Sequence, residues 1–181
     1  LLLLLSAHHS VPDGTTGLYA DGQDAEHTDM LLPSRWDHEN TLTIEHVAPQ
    51  NPDYEDALGD PWSPDLYGRE VPFVQTLGNL TLIPLRDNSE ISNRNWYSKR
   101  FLYRALSCRS RNGAEEAIAE AEAAGVVVST KLRERILDDH KTLPILRSVA
   151  SFGGNWDANF VALRSENLLR RAWDKLDRWL H

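Results

Sequence analysis

Apolar and polar residues alternate in two short stretches of the chain and recur at helical spacing over most of the rest. Thr41-Leu42-Thr43-Ile44 alternates and predicts a strand running into Glu45-His46. Asn79 to Pro84 alternates again, with Leu80 and Leu82 on one side, and Pro84 ends this strand or keeps it at a sheet edge. Further on the period lengthens to that of a helix. A helix is expected over about Ser89 to Cys108, capped by Asp87 or Asn88, with an apolar stripe of Trp96, Phe101, Leu102, Ala105 and Leu106. An Ala/Glu-rich helix should start at Gly113 and stop at Gly125. Ser129 or Thr130 caps the next, to about Asp139, and Thr142 to Ala150 forms another. The last begins at Asn155 or Asp157 and runs nearly to His181.

Two segments lack such periodicity. Residues 8 to 30 are rich in Gly, Asp, His, Ser and Thr and read as a loop or disordered lead. Residues 49 to 72 hold five prolines, with Gly59 and Gly68, and read as a long loop of the kind that often carries function. A helical turn is expected over Val71 to Leu77. The pattern predicts an α+β domain: a two-stranded unit and its following helix, embedded in a mostly helical body that must support it. Residues 1–40 form a lead-in from an upstream domain. Residues 41–181 form the domain proper, with its ββα core over about 41–108 and helical support over 113–181.

Composition narrows the possibilities. The chain has 181 residues, enough for one domain. No apolar run reaches the length of about eighteen residues that a membrane span needs. Leu1 to Leu5 is too short for a span and reads as the tail of an upstream helix, in a piece of a larger protein. Cys108 is the sole cysteine, so no internal disulfide or Cys-rich zinc site can form, and a cytoplasmic setting fits. A metal would be held by oxygen and imidazole, favouring Mg²⁺ or Mn²⁺.

The net charge of −8 argues against a general nucleic-acid coat, but its distribution is uneven. Residues 1–70 carry fourteen acids against Arg35 and Arg69. The stretch from Arg94 to Arg111 holds six bases and no acid. That favours a local phosphate-binding face over a merely solvated helix face.

The chemistry concentrates in three places. Phosphodiester hydrolysis needs a base for water and a cation near the scissile phosphate. Histidine is the side chain whose charge changes near neutral pH, and His46 sits at a strand end beside the proline-rich loop. Its neighbour Glu45 points to the other side of an extended chain, so one can face a metal and the other the water. Asn79 can hold the imidazole in one tautomer or fix the loop backbone. Asn88, nine residues on, supplies an amide oxygen at a helix start. Each alone is commonplace; the ordered set is not. Trp96, Trp156, Trp173 and Trp179 read as core or interdomain packing. Arg164 reads equally well as a brace for the fold or a DNA contact.

Glu45-His46-Val47-Ala48-Pro49-Gln50 resembles the Asp-His-Ile-x-Pro segment of HNH nucleases, the ββα-metal or His-Me finger group. Leu77 to Leu82, Asn88 to Asn93 and Lys99 extend the likeness. Together with Thr43 to Gln50 they resemble the C-terminal nuclease domain of GmrSD-type, modification-dependent restriction proteins, some of which sense phosphorothioate. Trp156, Val161, Arg164 and Trp173 resemble that family's closing helix.

The resemblance implies roles. His46 would be the general base, with Asn79 orienting it and bracing the loop. Glu45 and Asn88 would bind one divalent metal. Asn93, Lys99, Arg100 and Arg104 would contact DNA. Glu45 stands where wider HNH enzymes have Asp, and Asn88 where they often have His; both suit the GmrSD type. The implied protein is a DNA-nicking effector of an antiphage restriction system, working with an N-terminal nucleotide-hydrolysing sensor. Products would carry 5′-phosphate and 3′-hydroxyl ends. The rival readings are a catalytically silent DNA-binding module, a helical docking module of the same larger protein, and a ribonuclease.

Overall fold

The computed structural model describes residues 4, 10–21, 42–52, 59, 61–68, 70, 72–138 and 143–180. Their fold is α+β, with two small antiparallel sheets and six α-helices among the described residues. β1 (Val11–Pro12) pairs with β2 (Tyr19–Ala20). β3 (Leu42–His46) pairs with β4 (Leu80–Pro84), placing Glu45 opposite Thr81 and His46 opposite Leu80. The helices are α1 (Leu85–Ile91), α2 (Trp96–Ser107), α3 (Arg111–Ala123), α4 (Thr130–Asp138), α5 (Pro144–Ser151) and α6 (Ala158–Leu180). None of them is long and apolar enough to cross a membrane.

The segment after β4 corrects the sequence reading. One helix was expected from about Ser89; the chain forms two. α1 starts directly from Pro84, whose fixed φ suits a helix start. It stops at Ser92, which takes a φ of +26° that a continuing helix cannot hold. Asn95 then caps α2 by accepting a hydrogen bond from the Ser98 N–H at 2.8 Å. Asn88 therefore lies inside α1 rather than at its cap. The helix expected from Gly113 starts two residues earlier, because the Ser110 hydroxyl caps it by accepting from the Gly113 N–H.

The turn expected over Val71 to Leu77 is two 3-10 turns, Phe73–Gln75 and Leu77–Asn79. Within the lead read as loop, residues 11–20 form the β1–β2 hairpin. Its anchor is Tyr19, buried with its hydroxyl donating to the Ile145 carbonyl at 2.8 Å. Asn167 of α6 holds the same residue, accepting from its N–H and donating to its carbonyl.

The core lies between the hairpin and the helices. α2 packs against α3 and α5, and α6 packs on the Leu77–Asn79 turn. α3 buries Ala114, Ala117, Ile118 and Ala121, a stripe at i, i+3, i+4 and i+7 whose small side chains permit close approach. Leu102, Leu132, Leu146, Val149, Val161 and Leu168 are fully buried, each contributing roughly 1.5–3 kcal/mol by leaving water. This body supports the two-stranded β3–β4 unit, which would be marginal alone. Trp156 is buried and Trp96 half-buried, whereas Trp173 is 64% exposed, so the core reading fails for Trp173. The Trp179 side chain lies outside the described set.

Candidate active-site cleft

Strand β3 delivers Glu45 and His46 to its C-terminal end, and α1 delivers Asn88 beside them. Glu45, His46, Pro49, Gln50, Asn51, Asn88, Ser92 and Asn93 line one cleft of about 160 Å³. The three groups expected to converge thus border the same space, and Asn93 joins them.

Glu45 is buried, 5% exposed. Its Oε1 accepts from the Lys99 ammonium at 2.5 Å and from the Tyr103 hydroxyl at 3.3 Å. Among the described residues its Oε2 has no protein partner. Lys99 is 0% exposed and also donates to the His46 carbonyl at 2.8 Å. Burial holds the Lys99 ammonium below its ordinary pKa, opposed by the Glu45 carboxylate. Burial, reinforced by that carboxylate, pushes the Tyr103 phenol well above its ordinary value. Tyr103 therefore stays a neutral donor.

His46 is half-exposed, and its Nε2 lies 3.3 Å from the Gln50 amide nitrogen. That nitrogen also donates to Gln75 Oε1 at 3.2 Å. Asn88 turns its amide nitrogen toward the Ile44 carbonyl at 3.4 Å.

Asn79 is completely buried and acts on backbone. Its Nδ2 donates to the Ala48 and Val74 carbonyls, both at 2.8 Å. Its Oδ1 accepts from the Ala48 N–H at 2.8 Å and the Trp156 indole N–H at 3.0 Å. Its own carbonyl accepts from the Val47 N–H at 2.8 Å. These bonds pin the 47–48 segment immediately after His46. Of the two tasks read for Asn79 from sequence, this geometry realises the second, the loop backbone.

The basic run from Arg94 to Arg111 divides in space. Lys99 faces inward to Glu45. Arg104 pairs with Glu120 of α3 at 2.5 Å, and Arg111 with Glu115. Arg94 donates to the Glu90 and Val127 carbonyls. Arg100 is half-buried, with its guanidinium 5.9 Å from the Phe101 ring. Most of these charges are thus engaged within the fold. Arg164 is fully buried and braces the turn before β4, donating to the Gly78 carbonyl at 2.6 Å and the Leu80 carbonyl at 2.9 Å. It lies over the Tyr19 and Trp156 rings and is out of reach of DNA.

Sequence reasoning missed Tyr103, Gln50 and the inward course of Lys99. A signal existed for the last. Lys99, Leu102, Tyr103 and Leu106 fall at i, i+3, i+4 and i+7, so the lysine occupies a place on the buried stripe of α2. Tyr103 shares that stripe and Gln50 closes the motif that begins at Glu45, but neither spacing names their partners Glu45 and His46.

Among the described residues no three His, Cys, Asp or Glu side chains cluster to hold a metal ion. The cleft offers instead the Glu45 carboxylate, the amides of Gln50, Asn51, Asn88 and Asn93, and the His46 imidazole. A hard cation that keeps most of its waters can use such a sparse oxygen set. A structural zinc, which needs several strong nitrogen or sulfur ligands, does not fit it.

The family model described as GmrSD restriction endonucleases, C-terminal domain, matches residues 17–122. No curated protein matches the chain.

Proposed function

The chain belongs to the GmrSD restriction endonuclease C-terminal domain family, and from that premise we propose that it is a metal-dependent, HNH-type DNA endonuclease with His46 as general base. The observation that carries this reading is the shared cleft of Glu45, His46, Asn88 and Asn93 at the junction of β3, β4 and α1. It supports a hydrolytic site because it joins a base, an anion and neutral oxygen donors in one space open to solvent.

Glu45 Oε2 and Asn88 Oδ1 are the groups that would hold the cation. When bound, Mg²⁺ or Mn²⁺ supplies charge stabilisation at the phosphate and its leaving oxygen. The residues do the rest. Lys99 and Tyr103 both hold Glu45 Oε1, which fixes the carboxylate and leaves Oε2 without a protein partner among the described residues. Lys99 also holds the His46 carbonyl, and Asn79 holds the two residues that follow. The base is thereby clamped on both sides. With the Gln50 amide donating to Gln75 and to His46, Nε2 of His46 carries the lone pair. The attacking water takes the place of that amide, gives its proton to Nε2, and adds to phosphorus. The P–O bond to the leaving oxygen then breaks.

One such site cuts one strand, so a single chain nicks. In the cell it serves as the cytoplasmic effector of a larger phage-defence protein whose nucleotide-hydrolysing sensor recognises modified DNA. The test is conversion of supercoiled plasmid to open circle with Mg²⁺ or Mn²⁺. The chain should nick, and His46→Ala should not. Retardation of plasmid by both, with conversion by neither, would reduce the domain to a DNA-binding module.

A further inference from the structure

A second cavity, of about 370 Å³, lies against the first turns of α2 and the segment leading into α6. Well-packed interiors leave few voids larger than a water, whereas pockets of roughly 300–1,000 Å³ are the size of ligand sites. Its walls include Trp62, Trp96, Tyr97, Trp156, Arg100 and Asn155.

The aromatic wall is rigid. Trp96 lies 4.9 Å from Trp156 and 6.3 Å from Trp62, centroid to centroid. Each indole N–H is already used: Trp62 donates to the Arg94 carbonyl, Trp96 to the Gly154 carbonyl and Trp156 to Asn79. Trp62 and Trp156 are buried, so the aromatic surface left to a guest is that of the half-buried Trp96 and Tyr97, with no indole N–H left over. Asp157 spends Oδ1 on the Phe160 N–H at the start of α6. Arg100 is the cation of the cavity wall, and among the described residues it makes no hydrogen bond or ion pair. Aromatic surface beside a guanidinium with no ion-pair partner among the described residues suits a ligand with a planar ring and an attached anion. A nucleotide has both, and its base stacks on indole whatever its sequence.

We propose that this cavity binds one unstacked nucleotide of the DNA substrate, base against Trp96 and Tyr97 and phosphate against Arg100. The proposal rests on the nuclease reading for its choice of DNA. Two elements tie the cavity to the cleft. α2 presents Trp96, Tyr97 and Arg100 to the cavity and, on an adjacent face, Lys99 to Glu45. Trp156 lines the cavity and bonds Asn79, which pins the segment after His46. A nucleotide seated here registers the strand against the scissile phosphate without reading its sequence.

The test uses the full chain carrying His46→Ala, titrated with a short single-stranded oligodeoxynucleotide while tryptophan fluorescence is followed. Quenching is expected. Tyr97→Ala and Arg100→Ala, both partly exposed and expected to fold, should each weaken the affinity about tenfold, with unchanged unfolding midpoints. In the chain with His46 intact, single abasic sites moved along the substrate should slow cutting at one fixed offset from the nick. Unchanged affinity in both variants, no quenching by the oligonucleotide, or cutting indifferent to every abasic position would each overturn the proposal. A chain that nicks no DNA but shows the quench and its loss in Arg100→Ala would sink the nuclease reading and leave the cavity assignment standing. Nicking without those dependences would do the reverse.

Discussion

The Lys99 ammonium and the Glu45 carboxylate meet at 2.5 Å, with side-chain exposures of 0% and 6%. Lys99 has no water to turn to when Glu45 is lost, and Glu45 without Lys99 keeps only the Tyr103 hydroxyl and its contact with the cleft. Lys99→Met should therefore lower unfolding stability by about 3–5 kcal/mol, the usual cost of stranding one member of a buried pair. Adding Glu45→Gln should restore much of that loss, because the double variant strands no charge. Urea denaturation of the wild type, both single variants and the double variant completes the cycle. Simple additivity of the two single losses would show that the pair does not couple. The stable double variant should still fail to nick, since the cleft would lack its anion.

Asn79 uses both its donor hydrogens and its acceptor oxygen on groups that have no water to turn to. Asn79→Ala leaves the Ala48 N–H, two carbonyls and the Trp156 indole in need of partners. A loss of about 3 kcal/mol is expected, since each stranded buried group costs roughly 1–3 kcal/mol and relaxation recovers part of the total. Under conditions where the variant is folded by circular dichroism, nicking should fall through kcat rather than KM, because the loop after His46 loosens while the phosphate-binding groups remain. A rise in KM alone would contradict this division of labour.

Much of this organisation is legible in the chain. Alternation alone locates β3 and β4, and the alanine spacing of α3 locates its buried face. What stays hidden is tertiary. Glu45 and Lys99 are far apart in sequence, and a lysine inside a run of arginines reads as a phosphate contact until the α2 stripe is seen to include it. Arg104 reads the same way, yet Glu120 of the next helix takes it. The split between α1 and α2 is a backbone event at Ser92, and its neighbours Asn93 and Asn95 are as compatible with a helix cap as with a break. Trp156 lies in the non-helical segment that precedes α6, and nothing local points its N–H at Asn79.

Gly78 lets α6 reach the turn before β4. A Cβ at this position would stand 1.9 Å from the Val161 carbonyl oxygen and 2.8 Å from the Ser165 nitrogen, and helix backbone cannot step aside. Its N–H also donates to the Ser165 hydroxyl at 2.7 Å, and its carbonyl accepts from Arg164. Gly78→Ala should cost about 3 kcal/mol through overpacking. Differential scanning calorimetry measures it. A melting temperature within a degree or so of wild type would mean that α6 does not lie this close in solution.

Burial pushes the Cys108 thiol up, only partly offset by Arg104 and Arg147. A raised pKa means less thiolate at any given pH. Alkylation by iodoacetamide should thus run slower than for free cysteine at neutral pH, and climb to its plateau at a higher pH. Unfolding in urea should remove the difference. A native rate equal to that of the free amino acid would place the thiol in water.

Ser92 holds a φ of +26° on the rim of the candidate cleft, between α1 and Asn93. A side chain in that region is strained by about 1–3 kcal/mol, whereas glycine adopts it freely. Glycine also loses more conformational entropy on folding, which returns part of the gain. Ser92→Gly should therefore raise stability by about 1 kcal/mol in urea denaturation. The strain has a geometric consequence: ending α1 here keeps Asn88 and Asn93 on one cleft while freeing Asn95 to cap α2. Relief of strain without change of course should leave nicking near the wild-type rate. A variant less stable than wild type would show that the turn is held by the serine side chain rather than endured by it.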